Sequence, residues 1–246
     1  MTRARERIAW AADVPLDDAL RLWPLVSPSV GVVKVGLSLF VEHGPAAVRL
    51  FRDSGASVFL DLKLHDIPNT VEGAATAAGA LGARFLTVHA SGGEEMIRAA
   101  VRGAARGGER AKVPPPRILA VSALTSLSDA EVKALGFGPS AAEMAARLAE
   151  VAVKAGAGGL VCSAQEARAL RSRHPELFLC TPGIRPAGVA AGDQARVETP
   201  AAAIAAGSSL LVVGRALHGA ADPAAAAKAL HDEVARALGQ PGATRG

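Results

Sequence analysis

Asp61, Lys63 and Asp66 stand within six positions of one another in the stretch FLDLKLHDIPNT, residues 59–70, which otherwise begins as a strand should. The run SVFL, 57–60, is β-branched and aromatic and follows the turn-forming DSGA. Successive strand side chains point to opposite faces, so regular alternation puts Asp61 and Lys63 on one face and Leu60, Leu62 and Leu64 on the other. A carboxylate and an ammonium where core residues belong are costly to bury unless each charge is paired. In return, they can present a charge and a proton to a reacting atom. In VVKV, 32–35, the same alternation sets Lys34 beside Val32 and leaves Val33 and Val35 on the opposite face. Lys34 can then point inward next to Asp61 on the neighbouring strand, giving lysine, aspartate and lysine in series. An ion-pair network serving only itself is the competing reading, and Asp66 in the following loop tips the balance towards chemistry.

The elements that must position these residues read as alternating βα units. Strands are expected over 8–12, 31–35, 57–62, 85–89, 118–123, 159–162, 178–181 and 210–213, with Ala-rich helical segments between them, such as 16–25, 94–105, 141–156 and 222–238. Eight such units close a (β/α)8 barrel, a single α/β domain expected over 1–238 with a disordered tail, GQPGATRG, at 239–246. A doubly wound open sheet shares the same periodicity. Asp222-Pro223 reads as a helix cap followed by a first-turn proline. The run VPPPR, 113–117, reads as a stiff surface connection into the fifth strand.

Barrels carry their active sites at the C-terminal ends of the strands, and the polar residues here gather at those ends. Asp13 follows strand one, Lys34 lies near the end of strand two, and Asp61, Lys63 and Asp66 follow suit on strand three. His89 ends strand four, Ser122 and Thr125 come after strand five, TPGIRP (181–186) follows strand seven, and Gly214-Arg215 follows strand eight. The last two loops each hold a glycine and an arginine where barrels commonly bind phosphate. Glycine lets backbone N–H groups approach an anion, and arginine adds a bidentate fork. No His-x-x-x-His or Cys-x-x-Cys spacing occurs, and lysines stand close to the carboxylates, so no metal is expected. His65 and His89 read as supporting or structural residues.

Half of the 246 residues are hydrophobic, enough for one large core, and the net charge is only +4. With 3% aromatic residues there are few rings for stacking on bases, which argues against a nucleic-acid partner. Cys162 and Cys180 lie in apolar runs and read as buried thiols in a reducing compartment. The start MTRARERIAWAADV lacks a secretory h-region, and no run approaches the roughly 20 apolar residues of a membrane span, so a soluble, cytoplasmic protein without a membrane partner is expected.

DLKLHDIPNT, together with VHASGG, LTS, LVCSAQEA, TPGIRP, GDQ and VVGR, resembles the orotidine 5′-phosphate decarboxylase family in its bacterial short-chain branch, from Asp13 to about Pro223. The resemblance implies a cofactor-free barrel that converts orotidine 5′-monophosphate to uridine 5′-monophosphate and CO2, the last step of de novo UMP synthesis. Carried over by motif, Lys63 donates the proton to C6, Asp61 lies beside the departing carboxylate, and Lys34 bridges Asp61 and the ribose. Asp66 and Thr70 reach into the neighbouring subunit's site, which implies a homodimer with shared active sites. Asp13 contacts the ribose, Thr125 the pyrimidine, and Arg185, Gln194, Gly214 and Arg215 the phosphate. Two segments depart from the family pattern: AADVPL around Asp13, where leucine often precedes the aspartate, and AAGSSLLVVGR, where Asp-Tyr often stands in place of Ser-Leu. The rival readings are a magnesium-dependent sugar-phosphate decarboxylase or synthase on the same barrel, whose members lack IPNT, and an inactive nucleotide-binding barrel.

Overall fold

The computed structural model describes residues 3–186 and 198–239. Eight parallel strands close on themselves in sequence order: β1 (Ile8–Ala11), β2 (Val32–Val35), β3 (Ser57–Leu64), β4 (Phe85–His89), β5 (Arg117–Val121), β6 (Gly159–Val161), β7 (Phe178–Thr181) and β8 (Leu210–Val213). Ile8 pairs with Leu211 and Trp10 with Val213, which completes the ring and excludes the open doubly wound sheet. The strands β4, β7 and β8 coincide with the ranges expected from sequence. β1, β2 and β6 are one residue shorter, and β5 starts one residue early and stops two early. The larger difference is β3, which continues two residues past the expected end at Leu62, to Leu64.

Strand alternation builds two apolar layers. Inside the barrel lie Ala9, Ala11, Val32, Phe59, Phe85, Leu119, Cys180, Leu210 and Val212. Phe59 and Phe85 meet edge to face at 5.7 Å, and Phe85 stacks on Phe178 at 5.1 Å. Between strands and helices lie their sequence neighbours, among them Ile8, Trp10, Val33, Val35, Leu60 and Leu86, all fully buried. Each large apolar side chain so buried contributes about 1.5–3 kcal/mol. That outer layer stabilises the scaffold independently of the mouth, and so makes charge there tolerable.

The expected helices form, as Leu16–Val26, Gly93–Ala111, Ala141–Lys154 and Pro223–Ala237. Asp222 caps the last of them, accepting from the Ala225 N–H at 3.0 Å ahead of a first-turn Pro223. The helix Pro68–Gly79, which leads out of the charged loop after β3, packs so tightly on Gly93–Ala111 that a Cβ at Gly103 would lie 2.3 Å from the Glu72 carbonyl oxygen. Backbone contact at that range holds the start of Pro68–Gly79 against the body of the barrel. Cys162 and Cys180 are buried and unpaired, as expected, and burial pushes both thiols up. Residues 112–116 connect the helix Gly93–Ala111 to β5, and no described helix is long and apolar enough to cross a membrane.

Candidate active site

The charged stretch owes its shape to a slip in strand pairing. Leu60 of β3 pairs with Leu86 of β4, yet Leu64 pairs with Val88, so Asp61, Leu62 and Lys63 together stand opposite Thr87 alone. The extra length is absorbed at Lys63, whose φ of 50° lies in the left-handed region. For a residue with a Cβ that conformation costs about 1–2 kcal/mol. Asp61 and Lys63 nonetheless share the cavity-facing side, while Leu60, Leu62 and Leu64 pack in the outer layer, as alternation expects. What alternation does not anticipate is the bulge between them, across which the Lys63 Nζ lies 2.8 Å from Asp61 Oδ1. Leu62 and Leu64 are only partly buried and pack against the outer layer.

Lys34 behaves as its alternation predicts. Val32 faces the interior, Val33 and Val35 face the helices, and the Lys34 Nζ reaches 3.4 Å from Asp61 Oδ2 and 3.2 Å from Asp13 Oδ1. Asp61 thus sits between two ammonium groups, with a third donor in the Thr87 hydroxyl at 2.9 Å. Burial works to raise its carboxyl, but the charges of Lys34 and Lys63, with the hydrogen bonds from Lys63 and Thr87, overcome it and hold the group below the ordinary carboxylate value. Gly36, just past β2, leaves the space this array occupies. A Cβ there would lie 2.8 Å from Asp13 Oδ1 and 3.0 Å from the Lys34 Nζ.

These groups line a cavity of about 580 Å³ at the C-terminal ends of the strands. Its floor is largely apolar, with Phe59, Val121, Val161, Cys180 and Val212. The same cavity is lined by Gly183 and Arg185 from the loop after β7, by Gly214 and Arg215 after β8, and by Thr125 after β5. Arg185 is nearly buried, and its backbone N–H donates to Glu198 across an isolated bridge. Gln194 lies outside the described residues.

Some residues anticipated at the mouth stand elsewhere. Asp66, expected in the loop after β3, is exposed and does not line the cavity, nor does Thr70, which the resemblance implied with Asp66 at a neighbouring subunit's site; Asp66 Oδ1 accepts from the Ile67 N–H at 2.6 Å. The Ser122 hydroxyl donates to the Val161 carbonyl, and the Thr181 hydroxyl pairs with Ser208 at 2.7 Å. His65 and His89 are ring neighbours at 5.4 Å outside the cavity lining, and burial, with His65 and Lys63 nearby, lowers His89. Two lining or supporting residues escape the sequence reading. Thr87 is legible as the polar residue two places beyond inward-facing Phe85, but nothing local ties it to Asp61. His218 lines the cavity beside Arg215, with Trp10 Nε1 donating to its Nδ1 at 3.4 Å, and burial lowers it.

The arrangement suits a ligand with an anionic group at the two arginines and a reacting centre at Lys63, whose ammonium stands where negative charge would develop. At 30% side-chain exposure, Lys63 remains reachable from the cavity. Among the described residues, no three His, Cys, Asp or Glu side chains gather in a metal-ligating group.

Comparison with known proteins agrees along nearly the whole chain. The family model for the orotidine 5′-phosphate decarboxylase / HUMPS family matches residues 6–230. The chain is 54% identical over 227 residues to an orotidine 5′-phosphate decarboxylase of Anaeromyxobacter sp. (strain K), covering 92% of this chain and 96% of that one. It is 49% identical over 237 residues to the corresponding protein of Thermobifida fusca (strain YX), covering 95% and 98%. The crystal structure of orotidine 5′-phosphate decarboxylase from Lactobacillus acidophilus superposes with a TM-score of 0.80 at 37% identity, covering 93% of this chain and 99% of that one.

Proposed function

The chain belongs to the orotidine 5′-phosphate decarboxylase / HUMPS family, and from that premise we propose that it converts orotidine 5′-monophosphate to uridine 5′-monophosphate and CO2 without a cofactor, as the last step of de novo UMP synthesis in the cytoplasm. The observation that carries the reading is the Lys34–Asp61–Lys63 series, at 3.4 Å and 2.8 Å, in a cavity that Arg185 and Arg215 also line. When the bond from C6 to the carboxylate breaks, CO2 leaves and the electron pair stays on C6. With no cofactor to take that charge, the Lys63 ammonium stabilises it and then supplies the proton that replaces CO2. Asp61 stands beside the departing carboxylate and holds Lys63 and Lys34 in place.

Lys34 and Asp13 serve the ribose, Thr125 the pyrimidine, and Arg185, Arg215 and Gly214, with Gln194, the phosphate. Binding energy from the phosphate, remote from the reacting carbon, helps offset the strain of seating a substrate carboxylate near Asp61. The decisive assay follows loss of the orotate chromophore in the presence of excess chelator. Undiminished turnover is expected; activity abolished by chelation would favour a metal-dependent sugar-phosphate reaction. Complementation of a uracil-requiring strain lacking this activity checks the same reading in cells.

Asp66 and Thr70, exposed and away from their own cavity, are assigned to the site of a second copy in a homodimer. The assignment predicts subunit complementation. Asp66→Ala and Lys63→Ala, each nearly inactive alone, yield mixed dimers in half the population, each with one intact site. Mixing should then restore about a quarter of wild-type activity, as two-fold symmetry requires. No recovery on mixing would mean that each chain works with its own Asp66.

A further inference from the structure

We propose that Thr87 is the positioning residue of the reacting pair, its single hydroxyl fixing both the backbone of Lys63 and the carboxylate of Asp61. The bearing on rate rests on the decarboxylase reading above; the geometry does not. Thr87 is fully buried on β4 and is the one residue facing the three-residue bulge of Asp61, Leu62 and Lys63. Its Oγ1 accepts from the Lys63 N–H at 2.8 Å and donates to Asp61 Oδ1 at 2.9 Å.

The polarity of these two bonds is forced. A backbone N–H can only donate and a carboxylate can only accept, so the hydroxyl offers its lone pair to Lys63 and its one proton to Asp61. The first bond satisfies the N–H that the register slip leaves without a strand partner, and so holds Lys63 in its left-handed conformation. The second supplies one of the donors that surround Asp61. Both bonds converge on the 2.8 Å contact between the Lys63 Nζ and Asp61. Valine has nearly the shape of threonine but neither bond, which leaves a buried donor unsatisfied and the bulge free to relax. Serine keeps the hydroxyl and loses only the methyl, so the pair of variants separates clamping from packing.

Thr87→Val is expected to lower kcat by about 10- to 100-fold, the scale for a reacting group misplaced by about 1 Å. KM should move less than about threefold, because the arginines assigned to the phosphate come from the loops after β7 and β8, whereas Thr87 lies on β4 and does not line the cavity, and Thr87→Ser should restore kcat to within about threefold of wild type. A Thr87→Val kcat near wild type, or a Thr87→Ser enzyme as slow as Thr87→Val, overturns the proposal. Should Thr87→Val fail to fold, Thr87→Ala replaces it against the same serine control, and a fast alanine variant counts equally against the clamp. A crystal structure of the valine or alanine variant tests the clamp without any substrate. The contact between the Lys63 Nζ and Asp61 should lengthen by more than about 0.5 Å, and an unmoved pair overturns the proposal. A wild-type protein inactive on orotidine 5′-monophosphate would instead sink the reaction assigned above, with the crystallographic comparison still deciding the role of Thr87.

Discussion

Replacing Lys63 with alanine is expected to reduce turnover by about 10⁴-fold or more, combining the usual scales for a lost proton donor and a lost electrostatic stabiliser. Binding of uridine 5′-monophosphate should change little, because the phosphate site proposed above is built on Arg185 and Arg215, from the loops after β7 and β8, and not on Lys63. The backbone at residue 63 should survive the change. Alanine also carries a Cβ, so the left-handed φ of 50° is about as costly in the variant as in the native chain, and the N–H of residue 63 can still donate to Thr87. The substitution therefore removes the ammonium and leaves the bulge intact. Asp61 keeps Lys34 at 3.4 Å as a counter-charge, so no uncompensated carboxylate is left buried. Steady-state turnover read beside titration with uridine 5′-monophosphate tests this, and near-normal turnover would remove Lys63 from its assigned role.

Asp61→Asn is expected to lower turnover by at least about 10³-fold, since it leaves two lysines facing each other with no charge between them and lets Lys63 swing from its place. The change also bears on stability. Breaking a buried ion pair on one side costs about 3–5 kcal/mol where both charges are fully desolvated, and Lys63 is only partly so, which puts the expected loss nearer the lower figure. Because the folded protein holds the Asp61 carboxyl below its unfolded value, the contribution is complete at neutral pH. It is lost as pH falls through the lowered folded-state value. Wild type should therefore lose thermal stability on acidification more steeply than Asp61→Asn, and parallel melting curves from neutral to acid pH would count against this. The substrate carries a carboxylate that the product lacks, so repulsion from Asp61 predicts that the amide variant binds orotidine 5′-monophosphate more tightly relative to uridine 5′-monophosphate than wild type does.

Much of this site is written in local pattern. A period of two along VVKV is enough to turn Lys34 inward with Val32, and the structure puts it there. Eight β-like runs between Ala-rich segments number the barrel's strands, and the glycine and arginine expected after β7 and after β8 line the cavity. These features depend on neighbours a few residues apart, which the chain specifies without reference to the rest of the fold.

The remainder depended on which strand lies beside which. Closure needs Ile8 to pair with Leu211, two residues about as far apart in sequence as the fold allows, and periodicity is the same in an open sheet. The bulge in β3 follows from a mismatch of register with β4, a property of the pair that neither strand shows alone. For that reason alternation gives the shared face of Asp61 and Lys63 but not the left-handed turn at Lys63 or the Thr87 hydroxyl that binds both residues. The outward position of Asp66 and the presence of His218 at the cavity wall have the same origin, because a loop's direction and a short helix's placement are set by packing across the barrel. Residue types, their order and the strands that carry them are local and could be read from the chain. So could the Lys34–Asp61–Lys63 series; closure, the bulge and the Thr87 hydroxyl could not, since they depend on register between strands far apart in sequence.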